Sequence, residues 1–202
     1  MRAQELAVSG AFTFEPETFS DHRGAFAAPM QHASLLAAVG LPVFPVAQAS
    51  LTVSRRGVVR GVHFTRTPPG GAKYVYCVHG RAREFIVDIR VGSPTYGRWD
   101  VVELDGESAR AVYLPIGVGL AYVALADETV MSYLLTTAYQ ARNELAISIS
   151  DPALGLPVTD GLEPILSERD TAAPTLAQAG AAGLLPDYAV CQQLAEMVGS
   201  TA

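Results

Sequence analysis

An antiparallel β-sandwich or barrel is the fold this sequence predicts, on three observations. Nine short runs rich in Val, Ile, Tyr and Phe follow one another through about 110 residues of the middle of the chain. No helical hydrophobic pattern separates them, which disfavours a βαβ arrangement. The 18 Gly and 13 Pro are scattered rather than periodic, as frequent turns require.

The elements follow in order. Gln31 to Val39 reads as a helix stopped by Gly40, which accepts the left-handed conformation of a helix end. The strands are Val43 to Val53, Val58 to Phe64, Tyr74 to Val78, Glu84 to Arg90, Trp99 to Leu104, Ala111 to Leu114, Leu120 to Leu125, Val130 to Thr136 and Ala146 to Ile149. Turn residues bound them at Arg55-Arg56-Gly57, Pro68-Pro69-Gly70-Gly71, Gly92-Ser93-Pro94, Asp105-Gly106 and Ala126-Asp127. Thr175 to Ala182, between Pro174 and Gly183, and Tyr188 to Val198, with Val190, Leu194, Met197 and Val198 at helical spacing, form a helical tail over residues 174–202. With 202 residues and no repeat or low-complexity linker, residues 1–202 read as a single domain.

Composition excludes several classes. Half of the residues are apolar and 17% are charged, so extended disorder is out. A net charge of −6 argues against nonspecific nucleic-acid binding, although a local basic site for a small anion stays open. The N-terminus lacks a signal-peptide core, and the longest apolar run, Ala111 to Ala126, is broken by Pro115, Gly117 and Gly119. Cys77 and Cys191 form neither a CxxC motif nor a Cys/His cluster. A soluble, cytoplasmic protein without nucleic-acid or membrane partners is expected.

Chemistry concentrates in a few segments. Arg60 and His63 share a strand, and three residues apart they would face opposite sides; a bulge at Gly61 would turn both toward one cavity. Without it the segment is an edge strand with solvated Arg and a core His. Lys73 is the chain's one lysine beside 13 Arg, and opens a strand that places Lys73, Val75, Cys77 and His79 on one face; an ordinary exposed Lys fits that position too. Tyr133 fits either a core aromatic or a site phenol, and Ser167-Glu168-Arg169-Asp170 either a helix N-cap or a solvated loop. His22, His32, His63 and His79 include no pair two residues apart, so a metal is not expected. Dinucleotide, nucleoside-triphosphate and α/β-hydrolase motifs are missing.

Taken together, Asp21-His22-Arg23-Gly24 with Phe26, Arg60-Gly61-Val62-His63-Phe64, Lys73, Val87-Asp88-Ile89-Arg90, the run from Gly92 to Trp99, Tyr133 with Tyr139, Asp151-Pro152 and Ser167-Glu168-Arg169-Asp170 resemble the dTDP-4-dehydrorhamnose 3,5-epimerase family. Wording such as Tyr74-Val75-Tyr76-Cys77 and Leu154-Gly155-Leu156-Pro157 is similar to the branch making antibiotic deoxysugars, of epivancosamine-pathway 5-epimerase type. The resemblance implies a cupin-type jelly-roll barrel with a few short helices, mainly C-terminal, a homodimer, and a dTDP-4-keto-6-deoxyhexose substrate with no cofactor. It assigns His63 as base, Asp170 as its holder, Tyr133 as acid on the other sugar face and Lys73 to the C4 oxygen. Arg23 and Arg60 match diphosphate-holding positions. Phe26, Gln48 and Tyr139 match positions near base or ribose, and Arg169, Glu84 and Leu120 complete the substrate-contacting set. The chemistry is coherent: a neutral imidazole oriented by a carboxylate removes a proton beside a ketone, a cation stabilises the enolate, and Arg grips phosphate.

This sequence also departs from the family pattern. Leu120 stands where the family has a second His, Glu84 where it has Asp, Ala27-Ala28 where it has an early Glu, and the Trp-Pro near residue 157 is absent. The readings are therefore an epimerase acting at C5, at C3 or at both; a weakened member that binds nucleotide sugar with little or no turnover; and a ketone-moving isomerase or metal cupin.

Overall fold

A computed structural model describes residues 1–158 and 161–200. The chain opens with β1 (Arg2–Glu5) and β2 (Phe12–Glu15), then a hairpin of β3 (Thr18–Asp21) and β4 (Gly24–Ala27). The sequence pattern reveals none of these four. β1 and β3 are exposed along their whole length, and so carry no alternation of apolar and polar residues to read. The expected first helix is present as α1 (His32–Val39), closed by Gly40 at φ 69° with its amide donating to the Leu36 carbonyl.

The nine predicted runs correspond one for one to β5 (Gln48–Ser54), β6 (Val59–Thr65), β7 (Lys73–His79), β8 (Arg81–Val87), β9 (Trp99–Asp105), β10 (Ala111–Leu114), β11 (Gly119–Ala124), β12 (Thr129–Leu135) and β13 (Glu144–Ala146). Three are displaced. β5 starts at Gln48 rather than Val43, because Pro45 offers no amide to a ladder. β8 ends at Val87 because Asp88 turns the chain. Its carboxylate accepts from the Arg90 amide and guanidinium and from the Ser93 and Thr95 hydroxyls, at 2.5 to 3.1 Å. β13 ends at Ala146, and Ile147 instead exchanges backbone hydrogen bonds with Val62.

Two antiparallel sheets result, ordered β1-β2-β10-β7-β12-β5 and β13-β6-β11-β8-β9. Their inner faces pack Val75, Cys77 and Met131 of the first against Ile86, Leu120 and Tyr122 of the second. The outer faces are partly covered as well. Phe14, Tyr74 and Tyr113 meet Leu35 of α1, and Phe64, Phe85 and Ile147 meet Leu154 and Leu176 of the C-terminal segment. Burial on both sides explains why β10 and β11 are apolar without alternation. The tail consists of α2 (Glu168–Thr171), α3 (Leu176–Ala181) and α4 (Tyr188–Ser200). Thr175 and Gln178 form a reciprocal capping box at the start of α3. Among the described residues no helix is long and apolar enough to cross a membrane.

Candidate active site

The site is built on a bulge in β6. Across the ladder His63 faces Leu120 and Arg60 faces Tyr122, so Gly61 and Val62 together stand opposite the single residue Ala121. Gly61 adopts φ +119°, and a Cβ there would come within 2.4 Å of the Leu120 carbonyl. Only glycine fits. The extra residue shifts the side-chain parity, and Arg60 and His63 both line one cavity of about 340 Å³, within the size range of small-molecule sites.

The walls come from opposite sheets. β6 and β11 supply Arg60, His63, Leu120 and Tyr122; β7 and β12 supply Lys73 and Tyr133; Tyr139 and Glu144 close the rim. His63 Nε2 lies 2.6 Å from Asp170 Oδ1. Asp170 is buried on the single turn of α2, where the Ser167 hydroxyl accepts from its amide at 3.1 Å. Ser167-Glu168-Arg169-Asp170 is therefore a helix N-cap and also a site element. Burial pushes the Asp170 carboxyl up, but the His63 and Ser167 hydrogen bonds and the nearby Arg169 outweigh it and hold it below the usual range. The Arg169 guanidinium also reaches Nε2 at 2.6 Å. One ring nitrogen cannot both accept from Arg169 and donate to Asp170; the buried carboxylate is the fixed partner, and Arg169, about half exposed, is free to turn away.

Lys73 sits with its ammonium 4.0 Å from Glu144 Oε2. Burial draws its pKa below the ordinary lysine value, while Glu144 and Glu84 oppose that shift and Arg169 adds to it. On the same wall burial, reinforced by Tyr122, pushes the Tyr133 phenol well up, so it keeps its proton. The Tyr122 hydroxyl is itself tied to Thr52 and Ser54 at 2.9 Å, and Arg60 Nε donates to Ser54 at 3.2 Å.

Four of the expected residues lie off this cavity within one chain. Arg23 and Phe26 do not reach the cavity. They lie on the exposed β3–β4 hairpin beside a separate shallow cleft, where Arg23 pairs with Asp21 at 2.5 Å. This two-stranded hairpin pairs with neither large sheet. Gln48 is off the cavity wall and acts on the rim, accepting from the Tyr139 amide at 2.9 Å. Glu84 is fully buried and does not line the cavity: it sits one strand further on, paired with the wall residue Tyr122.

Sequence reading missed Tyr122, Glu144 and the β5 hydroxyls. A signal for the last exists. β5 turns Ser50, Thr52 and Ser54 inward and leaves Leu51 and Val53 exposed, the reverse of a strand packing on an apolar core.

A β-barrel whose interior holds an imidazole–carboxylate pair facing a phenol and an ammonium is built for moving protons on a bound small molecule; the class is that of acid–base isomerases. The family model for dTDP-4-dehydrorhamnose 3,5-epimerase matches residues 5–178, and the chain belongs to that family. It is 45% identical over 188 residues to a dTDP-4-dehydro-6-deoxyglucose 3-epimerase of Streptomyces bikiniensis, covering 93% of this chain and 95% of the relative. It is likewise 45% identical over 186 residues to a dTDP-4-dehydrorhamnose 3,5-epimerase of Streptomyces griseus, covering 92% of each. Among solved structures it resembles a dTDP complex of a double mutant, histidine to asparagine and tyrosine to phenylalanine, of the Streptomyces bikiniensis 3'-monoepimerase ChmJ. The TM-score is 0.92 at 41% identity, covering 98% of this chain and 99% of that one.

Proposed function

We propose that the protein epimerises a dTDP-4-keto-6-deoxyhexose at C5, at C3 or at both, by removing the proton beside the ketone and returning one to the other face, for an antibiotic or other natural-product deoxysugar. The observation that carries the reading is the placement of His63, braced by Asp170 at 2.6 Å, on one sheet and of Tyr133 on the facing sheet. A base and an acid on opposite walls are what inversion of a planar intermediate requires. Support also comes from the ChmJ double mutant: its replaced histidine and tyrosine are separated by the same number of positions as His63 and Tyr133.

The C–H bond breaks toward His63, its electron pair passes through the ring carbon to the C4 oxygen, and the imidazolium is stabilised by Asp170. Lys73 faces the enolate oxygen with positive charge where negative charge develops. Tyr133, held protonated by burial, donates from the other side; the phenolate then takes up a proton from solvent and the imidazolium releases one to it, which resets both groups. Arg60 is the diphosphate donor in the cavity. Arg23 and Phe26 serve the nucleotide from a second copy of the chain: they stand on an exposed hairpin, and the apolar outer face of β5, with Leu51 66% and Val53 64% exposed, gives a homodimer its contact. The buried, unpaired Cys77 and Cys191 suit the reducing cytoplasm.

Incubation with dTDP-4-keto-6-deoxyglucose in D₂O, read by NMR, tests this. Deuterium at C5 alone, C3 alone or both assigns the position. No incorporation over hours would overturn the assignment.

A further inference from the structure

Glu84, at the middle of β8, is fully buried, and neither of its carboxyl oxygens has a hydrogen-bond partner among the described residues. Native interiors rarely leave a carboxyl in that state. Its ladder neighbour Tyr122 lines the cavity, and so does Leu120, two residues along on the same face. The carboxyl therefore lies against the back of the cavity wall.

The groups around it come from four strands. Lys73 and Cys77 face it from β7, Tyr122 from β11 and Tyr133 from β12, while β9 offers apolar Val102 and Leu104. Lys73 is the cation that pulls its pKa down, and Lys73 has Glu144 as a second carboxylate on the rim side. The ammonium thus feels two acids, Glu144 at 4.0 Å on the cavity side and the buried Glu84. Burial carries the Glu84 pKa up to about 8 against the pull of Lys73, so the rear acid is uncharged at neutral pH.

We propose that Glu84 is a positioning residue that sets how much of the Lys73 charge reaches the substrate. Protonated, it leaves the ammonium directed at the cavity. Ionised, it is a buried counter-ion that draws the ammonium back and weakens its hold on the enolate oxygen. Leu120 contributes by exclusion, since it gives the carboxyl no donor that would keep it ionised. The inference rests on the assignment of Lys73 to that oxygen.

Because Lys73 is the only lysine in the chain, lysine-selective ¹³C/¹⁵N labelling gives one side-chain signal to follow against pH, with no substrate present. The expected result is a step in that signal near pH 8 in the unaltered protein, absent in Glu84→Gln. Infrared spectra show a protonated-carboxyl band that disappears across the same step and is missing from the variant. In D₂O, substrate deuteration by the unaltered protein falls about tenfold per pH unit above the step, whereas Glu84→Gln holds its neutral-pH rate there. A step that survives in Glu84→Gln, or no step in the unaltered protein, overturns the inference, as does an identical alkaline fall in both proteins. Should Glu84→Gln not fold, Glu84→Met, apolar and of similar length, gives the same readings. Absence of any deuteration in the unaltered protein would sink the functional assignment instead, and the lysine signal would still decide the coupling of Glu84 to Lys73.

Discussion

His63 and Leu120 face each other directly across the β6–β11 ladder, immediately before the register shift at Gly61. The imidazole thus has a buried carboxylate on one side and an aliphatic neighbour on the next strand. That asymmetry leaves the ring with Asp170 as its orienting carboxylate.

Replacing either half of this pair separates chemistry from binding. His63→Ala is expected to abolish deuterium exchange into substrate while dTDP affinity, measured by calorimetry, stays nearly intact. Asp170→Asn should lower exchange by ~10²–10⁴, since the base loses both its tautomer control and the charge that stabilises its protonated form. Unchanged exchange in His63→Ala would mean that another group is the base.

Tyr133→Phe discriminates the two faces of the reaction. Proton removal by His63 does not need the phenol, so solvent deuterium should still enter from the original face. Product of inverted configuration should fall by ~10²–10⁴. Equal loss of exchange and inversion would place Tyr133 on the proton-removal step.

Leu120→His puts a polar group back beside the base. Faster exchange is expected, by roughly tenfold or more, at the low end of the effect of a polar catalytic partner. A slower variant would show that the cavity has been rebuilt around leucine.

The Asp88–Arg90 pair tests the scaffold, not the chemistry. Both side chains are almost completely buried and 2.7 Å apart. Asp88→Ala would strand the guanidinium, at a cost of about 3–5 kcal/mol in urea denaturation. Burial pushes the Asp88 carboxyl up, but hydrogen bonds from Arg90, Ser93 and Thr95 prevail and hold it low. Its contribution is therefore present above the unfolded pKa of roughly 4 and is lost as pH falls through the lower folded value.

Glu84 has the opposite sign. Its folded value of about 8 lies above the unfolded 4.5, so the folded state holds a proton that the unfolded state releases, and stability declines as pH rises between those values. Glu84→Gln should gain on the unaltered protein by an amount on the order of a few kcal/mol at pH 9 compared with pH 4. A constant difference across that range would show that Glu84 does not titrate in the folded protein as proposed.

By itself the amino-acid sequence determined what local pattern can encode. Turn residues and β-rich runs define β5 to β13, Gly40 stops α1, and the strings around His63, Lys73, Tyr133 and Asp170 carry the family and its chemistry. It also marked the bulge, because a glycine between Arg60 and His63 is the residue that lets a strand slip its parity. Tertiary structure alone decided the rest. β1, β3 and β4 are too exposed to show periodicity, β2 is only four residues long, and Tyr122 and Glu144 gain meaning only when β11 and β13 pair with β6. Glu84 reads as a ligand from its place in the string, yet β8 turns it into the barrel behind Lys73. Arg23 and Phe26 share a string with the site and still stand on a hairpin away from it. The physical reason is common to these cases. Which way a strand faces, and which strand lies beside it, is fixed by pairing between segments far apart in the chain, and no local run of residues contains that information.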